Sequence, residues 1–166
     1  MTFEIIGAYD KRFEEVDRIA KEFFSIDSDP TQIDANENTF LYSLEIGGIT
    51  LAASEDNKLL GWSFAFPTNK ILMEKFLAGE ITEYQLFWST KKDPNYDAIY
   101  FCAMYVYPEY RSLSLAIKLI RKCLDSLLKE NACVFYDPYS SAGARIGEFM
   151  KNRVKFEIKT KKSIWE

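Results

Sequence analysis

The stretch from residue 98 to residue 128 constrains the fold more than any other part of the chain. Residues 98–107 form an apolar and aromatic run of strand character, and Pro108-Glu109-Tyr110-Arg111-Ser112 breaks it. Leu113, Ala116, Ile117, Ile120, Cys123, Leu124, Leu127 and Leu128 then recur at helical spacing, with Lys118, Arg121, Lys122, Asp125 and Lys129 on the opposite face. A strand that feeds an amphipathic helix through one short turn reads as α/β. A helix starting right after a strand also aims its unpaired N–H groups and the positive end of its dipole at one spot, which suits a phosphate or pyrophosphate. Arg111 sets a guanidinium fork beside that spot.

The remaining elements follow from the same periodicities. Residues 2–8 read as a strand, and Asp10 as the N-cap of a helix carrying Phe13, Val16, Ile19, Ala20, Phe23 and Phe24. Residues 27–38 are polar and read as a loop around Asp29-Pro30. Residues 40–46, 49–54 and 59–66 are β-branched or aromatic runs expected as strands, the last two joined by a turn at Glu55-Asp56-Asn57-Lys58. Between residues 68 and 90 the spacing predicts two short helices, with Thr68 and Thr82 as caps. A strand at 132–136, a helix at about 141–152 and a last strand including Phe156 and Ile158 complete the chain, with no repeat or linker, so one domain is expected.

Composition removes several function classes. A net charge of −4 argues against duplex nucleic acid as a partner. No segment reaches the roughly 18–20 apolar residues of a membrane span, and no basic stretch precedes a long apolar run at the start, so a cytoplasmic protein without a membrane partner is expected. Cys102, Cys123 and Cys133 lack CxxC spacing and read as reduced core residues, with neither a disulfide framework nor a metal site expected. The chain contains no histidine, which excludes serine–histidine and cysteine–histidine catalysis.

The run Val106-Tyr-Pro108-Glu-Tyr-Arg111-Ser-Leu-Ser114-Leu-Ala116 resembles the acetyl-CoA motif of the GNAT acyltransferases, V-x-P-x-x-R-x-x-G-x-A. Val106, Pro108, Arg111 and Ala116 match, and Ser114 stands where the motif has glycine. The hairpin from Ile49 to Gly61-Trp62 is similar to the family's second and third strands. The resemblance implies a mixed central sheet of six to seven strands flanked by helices, with the fourth and fifth strands splayed apart. It places the pantetheine of acetyl-CoA against Met104, Tyr105 and Val106, and the pyrophosphate on Arg111, Ser112, Leu113, Ser114, Leu115 and Ala116. The implied activity is direct transfer of an acetyl group to an amine on a small molecule or a protein. A homodimer stays open. Serine at 114 narrows the approach of phosphate to the backbone, although its hydroxyl can donate.

Many relatives carry a glutamate on the fourth strand as base and a tyrosine in the helix after the fifth strand as acid. This chain has neither. Strict alternation along residues 98–107 sets Tyr100, Cys102 and Met104 on one face and Ile99, Phe101, Ala103 and Tyr105 on the other, with no carboxylate, and no tyrosine follows Tyr139. Tyr136 and Tyr139 remain as candidate acids, Tyr139 preferred, and Asp137 as a base or amine-orienting group, against turn or rim roles for all three. A non-catalytic acyl-CoA-binding or regulatory module therefore stands as the alternative function, and a cofactor-free interaction domain as a third. Phe87 and Trp88 in the 68–90 insertion either cover an acceptor pocket or extend the core.

Overall fold

The computed structural model describes residues 1–24, 27, 29–138, 140–151 and 157–161. In chain order the elements are β1 (Thr2–Ile6), α1 (Lys11–Phe23), α2 (Glu37–Glu45), β2 (Ile49–Glu55), β3 (Lys58–Thr68), α3 (Lys70–Leu77), α4 (Glu83–Ser89), β4 (Ala98–Val106), α5 (Leu113–Asp125), β5 (Cys133–Tyr136), α6 (Ser141–Lys151) and β6 (Ile158–Thr160). A single 3₁₀ turn, Pro108–Tyr110, links β4 to α5. The six strands form one sheet in the order β1-β2-β3-β4-β5-β6. The first four pair antiparallel, and β5 and β6 add in parallel across the α5 and α6 crossovers, giving the expected mixed sheet. No helix among the described residues is long and apolar enough to cross a membrane.

Local chemistry explains most boundaries. Asp10 accepts from the Arg12 N–H and caps α1. The β2–β3 loop holds Asp56 and Asn57 at φ 49° and 61°, the left-handed pair that a two-residue hairpin turn requires. Thr82 and Gln85 form a reciprocal capping box at the start of α4, whereas α3 is capped by Asn69 and not by Thr68, whose hydroxyl is buried against that of Thr90 at 2.8 Å.

One expected strand is a helix. Residues 40–45 belong to α2 and Ile46 is its C-cap, the helix starting where the Asn36 side chain accepts from the Thr39 N–H at 3.0 Å. Thr39, Ser43 and Ile46 are the buried positions, a spacing of four and three that only a helix brings to one side. The aromatic and branched content of the segment suits a strand, but capping and burial of that stripe prevail.

β4 departs from strict alternation, and this departure shapes the site. Phe64 of β3 pairs with Ala103 and the next residue, Ala65, pairs with Phe101, so Cys102 is an extra residue on β4. A one-residue bulge bends its strand and reverses the faces beyond it. Ile99, Phe101, Met104 and Val106 accordingly share the core under α5 and α6, while Tyr100, Cys102, Ala103 and Tyr105 lie on the opposite side. The expected grouping of Met104 with Tyr100 and Cys102 is thus corrected. β4 pairs with β5 at only three positions, Ala98–Cys133, Ile99–Val134 and Tyr100–Phe135, and the splay begins at the residue before the bulge.

Two layers cover the sheet. Leu115, Leu119, Ile120, Cys123 and Leu124 of α5 and Met150 of α6 bury one face. The other face meets α1 through Val16 and Ile19, and α3 and α4 through Met73, Phe76, Leu86 and Phe87. Phe87 is fully buried and extends the core, whereas Trp88 is exposed and stacks on Tyr42 with centroids 4.7 Å apart.

Candidate active site

Beyond Tyr100 no described residue pairs with the edge of β4 that faces β5, which leaves the N–H and C=O groups on that edge available as far as Tyr105. The gap is a cavity of about 380 Å³. Its wall includes Ile120 and Leu124 of α5 and Ile146 and Met150 of α6 on one side of the sheet, and Phe23 and Phe24 at the end of α1 on the other. The opening therefore passes through the sheet at the splay. Met104, Tyr105 and Arg111 line it, together with Cys102, Tyr136 and Asp137.

At the start of α5 the Ser112 side chain is the N-cap and accepts from the Leu115 N–H at 3.2 Å. The Ala116 N–H bonds back to the Ser112 carbonyl, and the Leu115 and Ala116 side chains are buried in the core. The N–H groups of Leu113 and Ser114 are the first-turn donors that helix geometry leaves for an anion. Ser114 is exposed, with its hydroxyl 3.3 Å from that of Ser112. Arg111 donates through Nε to the Val106 carbonyl at 3.1 Å, which holds the exposed guanidinium between the end of β4 and the start of α5. Val106 is buried against the α5 side and does not line the cavity.

A carboxylate that the sequence reading did not single out lies behind Cys102. Glu83, the first residue of α4, accepts through Oε1 from the Tyr100 hydroxyl at 2.7 Å and from the Cys102 thiol at 3.6 Å, and through Oε2 from the Ile33 N–H at 3.2 Å. Burial pushes its pKa above the usual carboxylate range, against the lowering effect of those three donors. Burial likewise raises the Tyr100 hydroxyl and the Cys102 thiol, with the Glu83 charge adding to both. No sequence pattern marks Glu83, because a glutamate in the first turn of a capped helix is the residue expected there on dipole grounds alone.

Asp137 lies in the cavity wall, where burial raises its pKa and the Lys161 ammonium, 3.6 Å away, opposes the shift. Tyr136 stands beside it, its pKa pushed up to about 12 by burial and by Glu148. The Tyr136 hydroxyl lies directly over Gly147 of α6, in the space that a β-carbon there would take. A ring from β5 thus packs on the surface of α6 at Gly147. Tyr139 lies outside the described residues.

No family model matches the sequence, and a search among curated proteins finds no significant match. Solved structures do resemble it. A probable acetyltransferase superposes with a TM-score of 0.55 at 14% identity, covering 96% of this chain and 94% of that one. An aminoglycoside acetyltransferase from an uncultured soil metagenomic sample, crystallised with trehalose, gives 0.55 at 13% identity over 95% and 90%. An integron cassette protein from the mobile metagenome of V. cholerae gives 0.50 at 12% over 91% and 82%. At such identities the likeness concerns the fold, and it extends over nearly the whole chain. Together with the mixed sheet and the splay at the β4 bulge, it shows that the chain has the GNAT acetyltransferase fold.

Proposed function

We propose that the protein is an N-acyltransferase that carries the acetyl group of acetyl-CoA to a primary amine by direct attack. The observation that carries this reading is the unpaired inner edge of β4, which borders a largely apolar cavity ending at Arg111 and the start of α5. The residues present fit the coenzyme: free backbone groups along the cleft edge of Phe101–Tyr105 suit the amides of a pantetheine arm, and Arg111 with the Leu113 and Ser114 N–H groups suits a pyrophosphate. When bound, the coenzyme supplies an activated thioester. The chain supplies position, exclusion of water and groups that move protons.

The acceptor enters, on this reading, from the side of the sheet that carries α1 and α4. Glu83 and Asp137 set two carboxyl groups on that side, acceptors suited to the N–H groups of an arriving ammonium. The experiment is thermal unfolding with and without acetyl-CoA. At about 100 times its dissociation constant the ligand stabilises the native state by about 2.7 kcal/mol, and for a chain of this size each kcal/mol moves Tm by roughly 2–4 °C. An unchanged Tm at millimolar acetyl-CoA overturns the reading.

A further inference from the structure

We propose that Glu83 of α4 takes the proton from the acceptor amine, and that the Cys102 thiol holds the place of that amine on Oε1 until the acceptor arrives. The inference rests on the acyltransferase reading above. Of the three donors to the Glu83 carboxylate, the Ile33 N–H and the Tyr100 hydroxyl are strong and fixed by the fold, at 3.2 and 2.7 Å. The thiol at 3.6 Å is a weak donor. It is also the one of the three that lines the cavity, and as the bulge residue of β4 it sits where the splay opens.

An ammonium reaching the splay meets Cys102 in the cavity wall, in front of Glu83. Its N–H group forms a charge-assisted bond to Oε1 in place of the thiol bond, a stronger interaction for a weaker one. Glu83 Oε1 then accepts one proton and leaves a neutral amine. The nitrogen lone pair forms the C–N bond to the acyl carbon as the C–S bond breaks with its electron pair on sulfur. The second amine proton leaves with that sulfur as the coenzyme thiol, and Glu83 returns its proton to water before the next turnover.

No cation among the described residues pairs with the Glu83 carboxylate. Tyr100 and Cys102 of β4 and the Ile33 N–H are uncharged donors, and Asp137 beyond β5 is a second acid. Lys161, the described cation near them, is paired with Asp137. Burial raises the Glu83 pKa, which narrows the gap between it and an alkylammonium.

The test follows release of coenzyme thiol from acetyl-CoA with a panel of primary alkylamines across pH, using wild type, Glu83→Gln, Glu83→Asp and Cys102→Ala. Coenzyme-induced stabilisation is measured on each. Glutamine keeps its one oxygen as acceptor for the Ile33 N–H and can donate from its amide to the Tyr100 hydroxyl, but it cannot take a proton, so kcat falls by about 100-fold and its rise with pH disappears. Aspartate keeps the charge with a shorter reach, so the rise with pH survives at reduced kcat. Alanine at 102 removes the competing thiol, and the KM for amine falls roughly fivefold. A purely structural Glu83 leaves the pH profile of the glutamine variant equal to wild type, and that outcome overturns the inference while coenzyme binding stands. Stabilisation by acetyl-CoA with no amine turned over by wild type overturns it together with the transferase reading and leaves an acyl-CoA-binding module. Failure of wild type to bind acetyl-CoA removes the acyltransferase reading, and this inference with it.

Discussion

Gly61→Ala is a direct probe of how closely β3 approaches the β4 edge that borders the cleft. Gly61 pairs with Val106, and a β-carbon built on it meets the Tyr105 carbonyl oxygen at 2.6 Å and both Cα and Cγ2 of Val106 at 3.2 Å. An ordinary non-bonded contact lies near 3.5 Å, so β4 must retreat by about 0.9 Å from a 2.6 Å approach. The obstacle is backbone, held on its far side by α5, and cannot swing aside as a side chain would. Overpacking of this kind costs about 1–3 kcal/mol. Opposing it, alanine restricts the unfolded chain and returns about 0.4–1 kcal/mol. The steric term prevails, leaving a net destabilisation of about 1.3 kcal/mol, read by calorimetry as a fall in Tm of about 3–5 °C. The retreat also displaces Tyr105, so the Tm gain on adding acetyl-CoA shrinks. A variant as stable as wild type refutes the argument, because it shows that β3 and β4 are not in contact at this point.

Other perturbations address the remaining parts. Arg111→Ala weakens acetyl-CoA binding more than any change at Tyr136, and Ser114→Gly strengthens it at a cost of up to about 1 kcal/mol of helix stability; titration calorimetry and Tm measure the two effects. Gly147→Ala drives the Tyr136 ring off α6 and into the cavity, so coenzyme binding falls while the gain in helix propensity keeps stability within about 2 kcal/mol of wild type; a variant with unchanged affinity contradicts the placement of that ring. Arg12, bonded to Asp10 at 2.6 Å and to Glu4 at 2.8 Å, holds the Asp10 carboxyl down at about 2. A lowered carboxylate pKa contributes stability above its ordinary value near 3.8, lost as pH falls toward 2. Acid unfolding of Arg12→Leu is therefore less steep than wild type between about pH 4 and 2, and equal slopes count against the pairing.

What could be read directly from residues was local. The Asp10 cap, the Asp56-Asn57 turn, the Thr82 cap and the long amphipathic run of α5 each depend on neighbours within one or two turns, and short-range patterns carry that information. The match at Val106–Ala116 is local as well, and with the order of elements it led to the fold. Three decisions lay beyond such patterns. Residues 40–46 suit a strand by composition, and only the surface available for Thr39, Ser43 and Ile46 to bury makes them helical. The bulge at Cys102 is invisible in an evenly apolar run, because it exists only as a mismatch with β3, yet it turns Met104 to the other face and opens the cleft. Glu83 lies 19 residues from Cys102, on a helix whose docking alone brings its carboxylate to β4. Caps, turns and helix stripes are properties of a few consecutive residues; which strands part and which distant carboxylate fills the gap are set by packing, where many weak contacts are satisfied at once.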